Sequence, residues 1–296
     1  MNGVIIIDKP AGWTSHDVVN RMRRVLGQRS IGHLGTLDPL ATGVLPLVTG
    51  SLTRLAQFYT TSEKSYEGTI RFGFATNTYD ADGEPSSDPL PVTLSLEPIQ
   101  KLAAGFQGLI EQVPPPFSAK KIQGVPAYKL ARKQKEVVLK PVQVEIKEFS
   151  ILSVEGDRAH FRARVASGTY MRSVAHEMGQ RLGSGAHLES LRRTTVAEFD
   201  ITQAHTLEEI ERHIQIEEQA AFFIHPRQLL PQLPSVTADE ATAARIRTGR
   251  PVNLPELSRA RQVKVFQGQS ELIAIATRVA GTLFHPKIVF PPEPPA

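Results

Sequence analysis

The residues best suited to chemistry fall in one glycine-punctuated segment, Gly32-His33-Leu34-Gly35-Thr36-Leu37-Asp38-Pro39-Leu40-Ala41-Thr42-Gly43-Val44-Leu45-Pro46. Pro39 biases Asp38 toward an extended backbone, and the flanking glycines permit tight turns on both sides. Such a loop can hold a carboxylate rigidly at the rim of a cleft, where it can act as a nucleophile or a base. It can equally be a plain turn in which Asp38 accepts local backbone hydrogen bonds. Cysteine is absent, which excludes thiolate nucleophiles, disulfides and Cys-ligated zinc.

The elements around this segment are readable from periodicity. Residues 3–8 are an apolar run that ends in Asp8-Lys9-Pro10 and reads as a strand leaving into a loop. Thr14 and Asp17 have capping-box spacing. Val18, Val19, Met22, Val25 and Leu26 then share one face of a helix that Gly27 stops. The segment 32–43 has neither helical nor strand periodicity. From Ser65 to Phe74 the pattern alternates, with Tyr66, Gly68, Ile70, Phe72 and Phe74 on one side. A second alternating run covers 160–165 and leads through Ser167-Gly168 into a helix. That helix carries Met171, Val174, Ala175, Met178 and Leu182 on one stripe, with Arg172 in its first turn. A cation there faces the positive end of the helix dipole, so an anionic partner is expected.

The chain has 34 Lys+Arg against 30 Asp+Glu, a net charge of +4, which permits a polyanionic partner where the positive charges cluster. They cluster at 113–141, where Lys120, Lys121, Lys129, Arg132, Lys133, Lys135 and Lys140 face a single acid, Glu136. A charge run of this kind is often only a solvated loop. The stretch LLPQLPS at 229–235 looks like a linker, followed by short strands, prolines and a basic group at Arg245, Arg247 and Arg250. Strands mixed with helices, without regular βα alternation, indicate an α+β domain followed by a small β domain. The longest apolar runs, such as 4–7 and 220–224, are far too short to span a bilayer. Residues 1–10 show no basic n-region, so a cytoplasmic protein is expected.

Five collinear stretches carry a family resemblance: GVIIIDKP at 3–10, the Asp38 segment, Lys64-Ser65-Tyr66, Ser167-Gly168-Thr169-Tyr170-Met171-Arg172, and Gly185-Ala186-His187-Leu188 with Leu191-Arg192-Arg193. In order and spacing they resemble the TruB-type pseudouridine synthases, which modify the T-loop uridine of bacterial tRNA, position 55 in tRNA numbering. The likeness spans 1–195 and thins toward the C-terminus. It implies a catalytic domain at 1–230, built on a mixed, largely antiparallel sheet flanked by helices. It also implies an RNA-gripping insert at about 113–141 and a small PUA-like β barrel at 231–296 that touches the tRNA acceptor end.

The resemblance also implies roles. Asp38 is the catalytic carboxylate near C1′ of the target nucleotide, Arg172 pairs with it, and Tyr66 stacks on the uracil and helps remove its C5 proton. His33 fills the space left by the flipped nucleotide, and Tyr170 and Leu191 line the uracil pocket. Lys120, Lys121, Lys129, Arg132 and Lys133 grip RNA, and Lys9 supports the active-site loop. No metal or cofactor is implied, because the isomerisation is redox-neutral. The expected partner is tRNA, without membrane, guide RNA or protein partner, and the expected state is a monomer. Two rivals remain: an RNA-binding or RNA-folding protein whose turnover is secondary, and the guide-RNA-dependent relative of archaea and eukaryotes.

Overall fold

The computed structural model describes residues 2–86, 88–118, 121–122, 125–126, 139–216, 219–256 and 258–292. Its principal strands are β1 (Gly3–Lys9), β2 (Ile31–His33), β3 (Thr42–Thr49), β4 (Lys64–Phe72), β5 (Gly108–Gln112), β6 (Val142–Glu155), β7 (Arg158–Val165) and β8 (Ala186–Val196). They form one sheet in the order β1-β3-β8-β4-β7-β6-β5, with β2 added to β3. Short pieces at Phe223–Ile224 and Phe199–Asp200 extend it beside β1 and β8. Neighbours are antiparallel except β3 and β8, which run parallel where Thr42 meets Arg192 and Gly43 meets Arg193. The sheet is therefore mixed and largely antiparallel, with helices against it.

Helix α1 (Ser15–Val25) begins at the expected capping box: Thr14 accepts from the Asp17 amide and Asp17 accepts from the Thr14 amide. Val18, Val19 and Met22 are fully buried against the sheet, each side chain stabilising by about 1.5–3 kcal/mol. Helix α2 (Leu96–Ala104) buries Ile99 and Ala103, and α3 (Met171–Leu182) buries Met171, Val174, Ala175 and Met178. Leu182, expected on that stripe, is instead exposed at the helix end, where Gly183 turns left-handed. The alternation read to Phe74 stops at Phe72, because Gly73 adopts φ +108. Phe74 then packs on His187, with ring centroids 4.6 Å apart. The segment that showed no periodicity holds two strand ends, β2 and the start of β3, with the loop 34–41 between them.

Beyond helix α4 (Leu207–Gln215) the apparent linker is not a free tether. Leu229 and Leu230 are fully buried, in one apolar cluster with Val4, Val48 and Leu55 of the first sheet and Phe266 and Ile275 beyond it. The C-terminal part contains β9 (Ser235–Ala238), α5 (Glu240–Arg247), β10 (Val252–Asn253), β11 (Gln262–Gln267), β12 (Glu271–Ala280) and β13 (Leu283–Val289). Its strands form a curled half-barrel sheet in the order β9-β11-β12-β13-β10, which fits a PUA-like domain. Among the described residues, no helix is long and apolar enough to cross a membrane.

Candidate active site

The loop 34–41 is fixed from several directions, and almost every backbone carbonyl around Asp38 has a donor. Fully buried Lys9 donates to Pro39 O at 3.2 Å and also to Pro10 O and Trp13 O. Burial lowers its ammonium to about 8, and the three carbonyls supply a partner for each of its hydrogens. The Gly12 amide donates to Pro39 O at 2.9 Å. The buried Ser15 hydroxyl accepts from the Leu37 amide at 2.8 Å and donates to Leu37 O at 3.1 Å.

Arg193 completes the frame from β8. Its side chain is 1% exposed and donates through Nη2 to Gly35 O (3.0 Å), Nη1 to Thr36 O (3.1 Å) and Nε to Val44 O (2.8 Å). The same guanidinium lies within hydrogen-bonding reach of the Tyr66 hydroxyl. Gly43 lets the β3 backbone approach closely: with φ +97, a Cβ at this position would stand 2.2 Å from Arg193 O. One buried cation thus sets the loop, the start of β3 and Tyr66 relative to each other.

Asp38 is met by Arg172 from the first turn of α3. Arg172 Nη2 donates to Oδ1 at 3.0 Å, while Nε lies 2.9 Å from Oδ2 but off the hydrogen-bonding direction. The arginine side chain is 5% exposed and the aspartate 37%, so the pair is anchored on one side and open on the other. The guanidinium also donates to Thr78 O and Phe117 O, and sits 3.4 Å from the buried carboxylate of Asp80. Burial first, opposed by the Thr78 hydroxyl and Arg172, pushes the Asp80 carboxyl above its ordinary value. Two carboxylates therefore share one arginine at a helix N-terminus.

These groups border a cavity of about 270 Å3, lined among others by Asp38, Tyr66, Tyr170, Arg172, Leu191 and Arg193. Asp38, Tyr66, Tyr170, Arg172 and Leu191, expected together from the sequence, are brought together here. Tyr170 caps α3, where the Gln112 side chain accepts from its amide at 2.8 Å, and burial pushes its phenol up. His33 is not among the cavity residues; it sits at the end of β2, half-buried, with burial lowering its pKa. Lys120, Lys129, Arg132 and Lys133 lie outside the described residues. Of Lys121 only the backbone is described, in a two-residue strand paired with Val125–Pro126.

Sequence reading assigned no role to Asp80, Arg193 or Lys64. Arg193 was part of a recognised motif, but nothing local announces that it is buried, and Asp80 stands in an Asp-rich loop that reads as solvated. Among the described residues, no group of three or more His, Asp or Glu could hold a metal ion.

A mixed, largely antiparallel sheet thus presents an arginine-held carboxylate at a cavity, and a half-barrel sheet follows it in the chain. Residues 23–171 match the family described as TruB family pseudouridylate synthase (N terminal domain), and residues 172–231 match the tRNA pseudouridylate synthase B C-terminal domain. The chain belongs to the TruB family of pseudouridylate synthases, and it is an enzyme, an isomerase. It is 49% identical over 98% of its length to the whole of the tRNA pseudouridine synthase B of Solibacter usitatus. To that of Arthrobacter sp. it is 38% identical, covering 99% of this chain and 98% of the relative. Among solved structures, a chain of a Cbf5-Nop10-Gar1 complex superposes with TM-score 0.72 at 25% identity, covering 98% of this chain and 85% of that one. A chain of the archaeal box H/ACA sRNP Nop10-Cbf5 complex gives 0.69 at 25% identity, covering 98% and 86%.

Proposed function

We propose that this isomerase converts the uridine at position 55 in the T loop of tRNA to pseudouridine, with Asp38 as the catalytic carboxylate. The observation that carries the reading is the placement of Asp38: half-open, held by Arg172, at the wall of a cavity that also contains Tyr66, Tyr170 and Leu191. A uridine in a folded loop must leave its stack to reach such a cavity, at a cost of a few kcal/mol. The C1′–N1 bond then breaks at Asp38, the uracil turns, C5 bonds to C1′, and the C5 proton is released. Tyr66 stacks on the uracil and assists that last proton loss. Tyr170 and Leu191 hold its edges, and His33 occupies the space the nucleotide vacated.

The basic residues Lys120, Lys121, Lys129, Arg132 and Lys133 grip the T arm, and the C-terminal sheet meets the acceptor end. In this reading the catalytic domain covers 1–230 and the PUA-like domain 231–296. The end of the matched C-terminal family region at 231 supports the boundary. The enzyme works as a cytoplasmic monomer, without guide RNA. The test is tritium release from a tRNA transcript carrying uridine labelled at C5, with no other protein or RNA added. Release by the wild type, lost on changing the target uridine and in Asp38→Asn, is the expected result. Normal release by Asp38→Asn would remove Asp38 from the reaction centre.

A further inference from the structure

Among the described residues three cations line the cavity, and two of them are committed. Arg172 is spent on Asp38, Asp80 and two carbonyls. Arg193 is buried and spent on three carbonyls and Tyr66. The third is Lys64, the first residue of β4, two positions before Tyr66 and so on the same side of the strand. Its ammonium donates to Ser62 O at 2.6 Å, which leaves two hydrogens unassigned.

No carboxylate stands against Lys64 among the described residues; the charged neighbour that acts on it is another cation, Arg193. Burial and Arg193 together lower its ammonium to about 8. Its stem passes over the catalytic loop: a Cβ on Gly35, which has φ +127, would lie 3.8 Å from Lys64 Cε and 3.6 Å from Arg193 Nη1. Lys64, Thr60 and Gly35 together line the cavity. An ammonium held beside a second cation, in a site that shields it from water, is stabilised by an incoming anion.

A nucleotide in this cavity brings such anions with it. With C1′ at Asp38, its 5′ and 3′ phosphodiesters must lie at the cavity walls, because the sugar cannot enter without them. We propose that Lys64 binds a phosphodiester flanking the extruded uridine, latching the nucleotide in the cavity while Asp38 and Arg172 address the sugar. The inference rests on the reading that an extruded nucleotide occupies this cavity.

The test measures binding without turnover, in an Asp38→Asn background, as the dissociation constant of a tRNA transcript across a KCl series. Adding Lys64→Met should weaken binding about tenfold or more at low salt. It should also reduce the slope of log Kd against log salt by about 0.7–0.9, the change for one phosphate contact. Lys64→Arg should keep the slope. Synthetic RNA carrying methylphosphonates at both phosphates flanking the target should lower the slope of the Asp38→Asn protein itself. On that RNA the Lys64→Met variant should bind no worse than its parent. The methylphosphonate arm needs no Lys64 variant, so a misfolded substitution does not shield the proposal. An unchanged slope with the neutralised RNA overturns it, as does a Lys64→Met loss that persists on that RNA. Failure of the underlying function would show separately, as absence of tritium release by the wild type.

Discussion

Arg172 reaches Asp38 across 134 residues of sequence, with Nη2 donating to Oδ1 at 3.0 Å and Nε 2.9 Å from Oδ2. A guanidinium in the first turn of a helix opposes the helix dipole, at a cost of about 0.3–1 kcal/mol. Two carboxylates and two carbonyls around it more than offset that cost. Its planar geometry serves four partners in different directions, which a lysine cannot reproduce. Arg172→Lys should therefore fold but lower kcat by about 10–100-fold, the loss of a charged hydrogen-bond geometry worth about 1.5–3 kcal/mol. Single-turnover tritium release with saturating enzyme would check this. A rate within twofold of wild type would mean the pair does not set Asp38's position.

Asp80 is the second carboxylate on that arginine, and the backbone presents it with some strain. Tyr79 adopts φ +67, uncommon for a bulky side chain, and its ring stacks on His176 with centroids 3.7 Å apart. Asp80→Asn keeps the shape but removes one of the two charges that balance Arg172. The guanidinium is then free to shift toward its carbonyl partners. Activity should fall about tenfold or more in kcat, with KM within about threefold, since Asp80 does not border the cavity. A change confined to KM would refute a role through Arg172.

How far these relationships were legible in sequence depended on their range. The Thr14–Asp17 capping box and the inward parity of Tyr66 are local, and both could be read from spacing. The partner of Arg172 could be guessed because a helix N-terminus asks for an anion, and resemblance named Asp38. Arg193 offered no such handle. Its acceptors Gly35 and Val44 are 158 and 149 residues away, and burial of an arginine among carbonyls leaves no periodic trace. Prolines around Leu229-Leu230 mimicked a tether, yet both leucines are core residues whose partners lie in two different sheets. His33, expected where the flipped nucleotide had been rather than against the uracil, stands outside the cavity at the end of β2.

Gly43 is the most position-restricted glycine near the site. Replacing it with alanine meets both an unfavourable φ of +97 and a backbone oxygen of Arg193 at 2.2 Å. Those strands are the parallel pair that brings Arg193 to the catalytic loop. Gly43→Ala should cost about 3 kcal/mol or more, lowering the melting midpoint by roughly 6–12 °C. Retention of the wild-type midpoint in calorimetry would contradict the close approach.

Three histidines make stability depend on pH. His33, His176 and His187 are each held below the ordinary 6.5, in every case chiefly by burial. Below about 6.5 the unfolded chain takes up protons at these sites while the folded chain does not, so stability falls as pH falls. Their contribution is complete above 6.5 and is lost progressively until the folded pKa values are reached. The urea midpoint should therefore drop between pH 7.5 and 5.5, and His176→Gln should flatten that dependence. An identical pH slope in wild type and His176→Gln would rule this histidine out as a contributor.

Glu198 ties the first sheet to the Leu229-Leu230 connector. One of its carboxylate oxygens accepts from the Tyr59 hydroxyl at 2.6 Å and from the Leu230 amide at 2.8 Å. Burial, then Glu198 itself, pushes the Tyr59 phenol far up. Across the same junction, buried Lys264 donates to Arg227 O and Leu229 O. Glu198→Ala strands two donors at once, at about 1–3 kcal/mol each, and the loss falls on the seam rather than inside either sheet. Amide exchange should then accelerate in β11–β13 well before it does in β4 and β7. Uniform acceleration across both sheets would show instead that the seam and the two cores unfold as one cooperative unit.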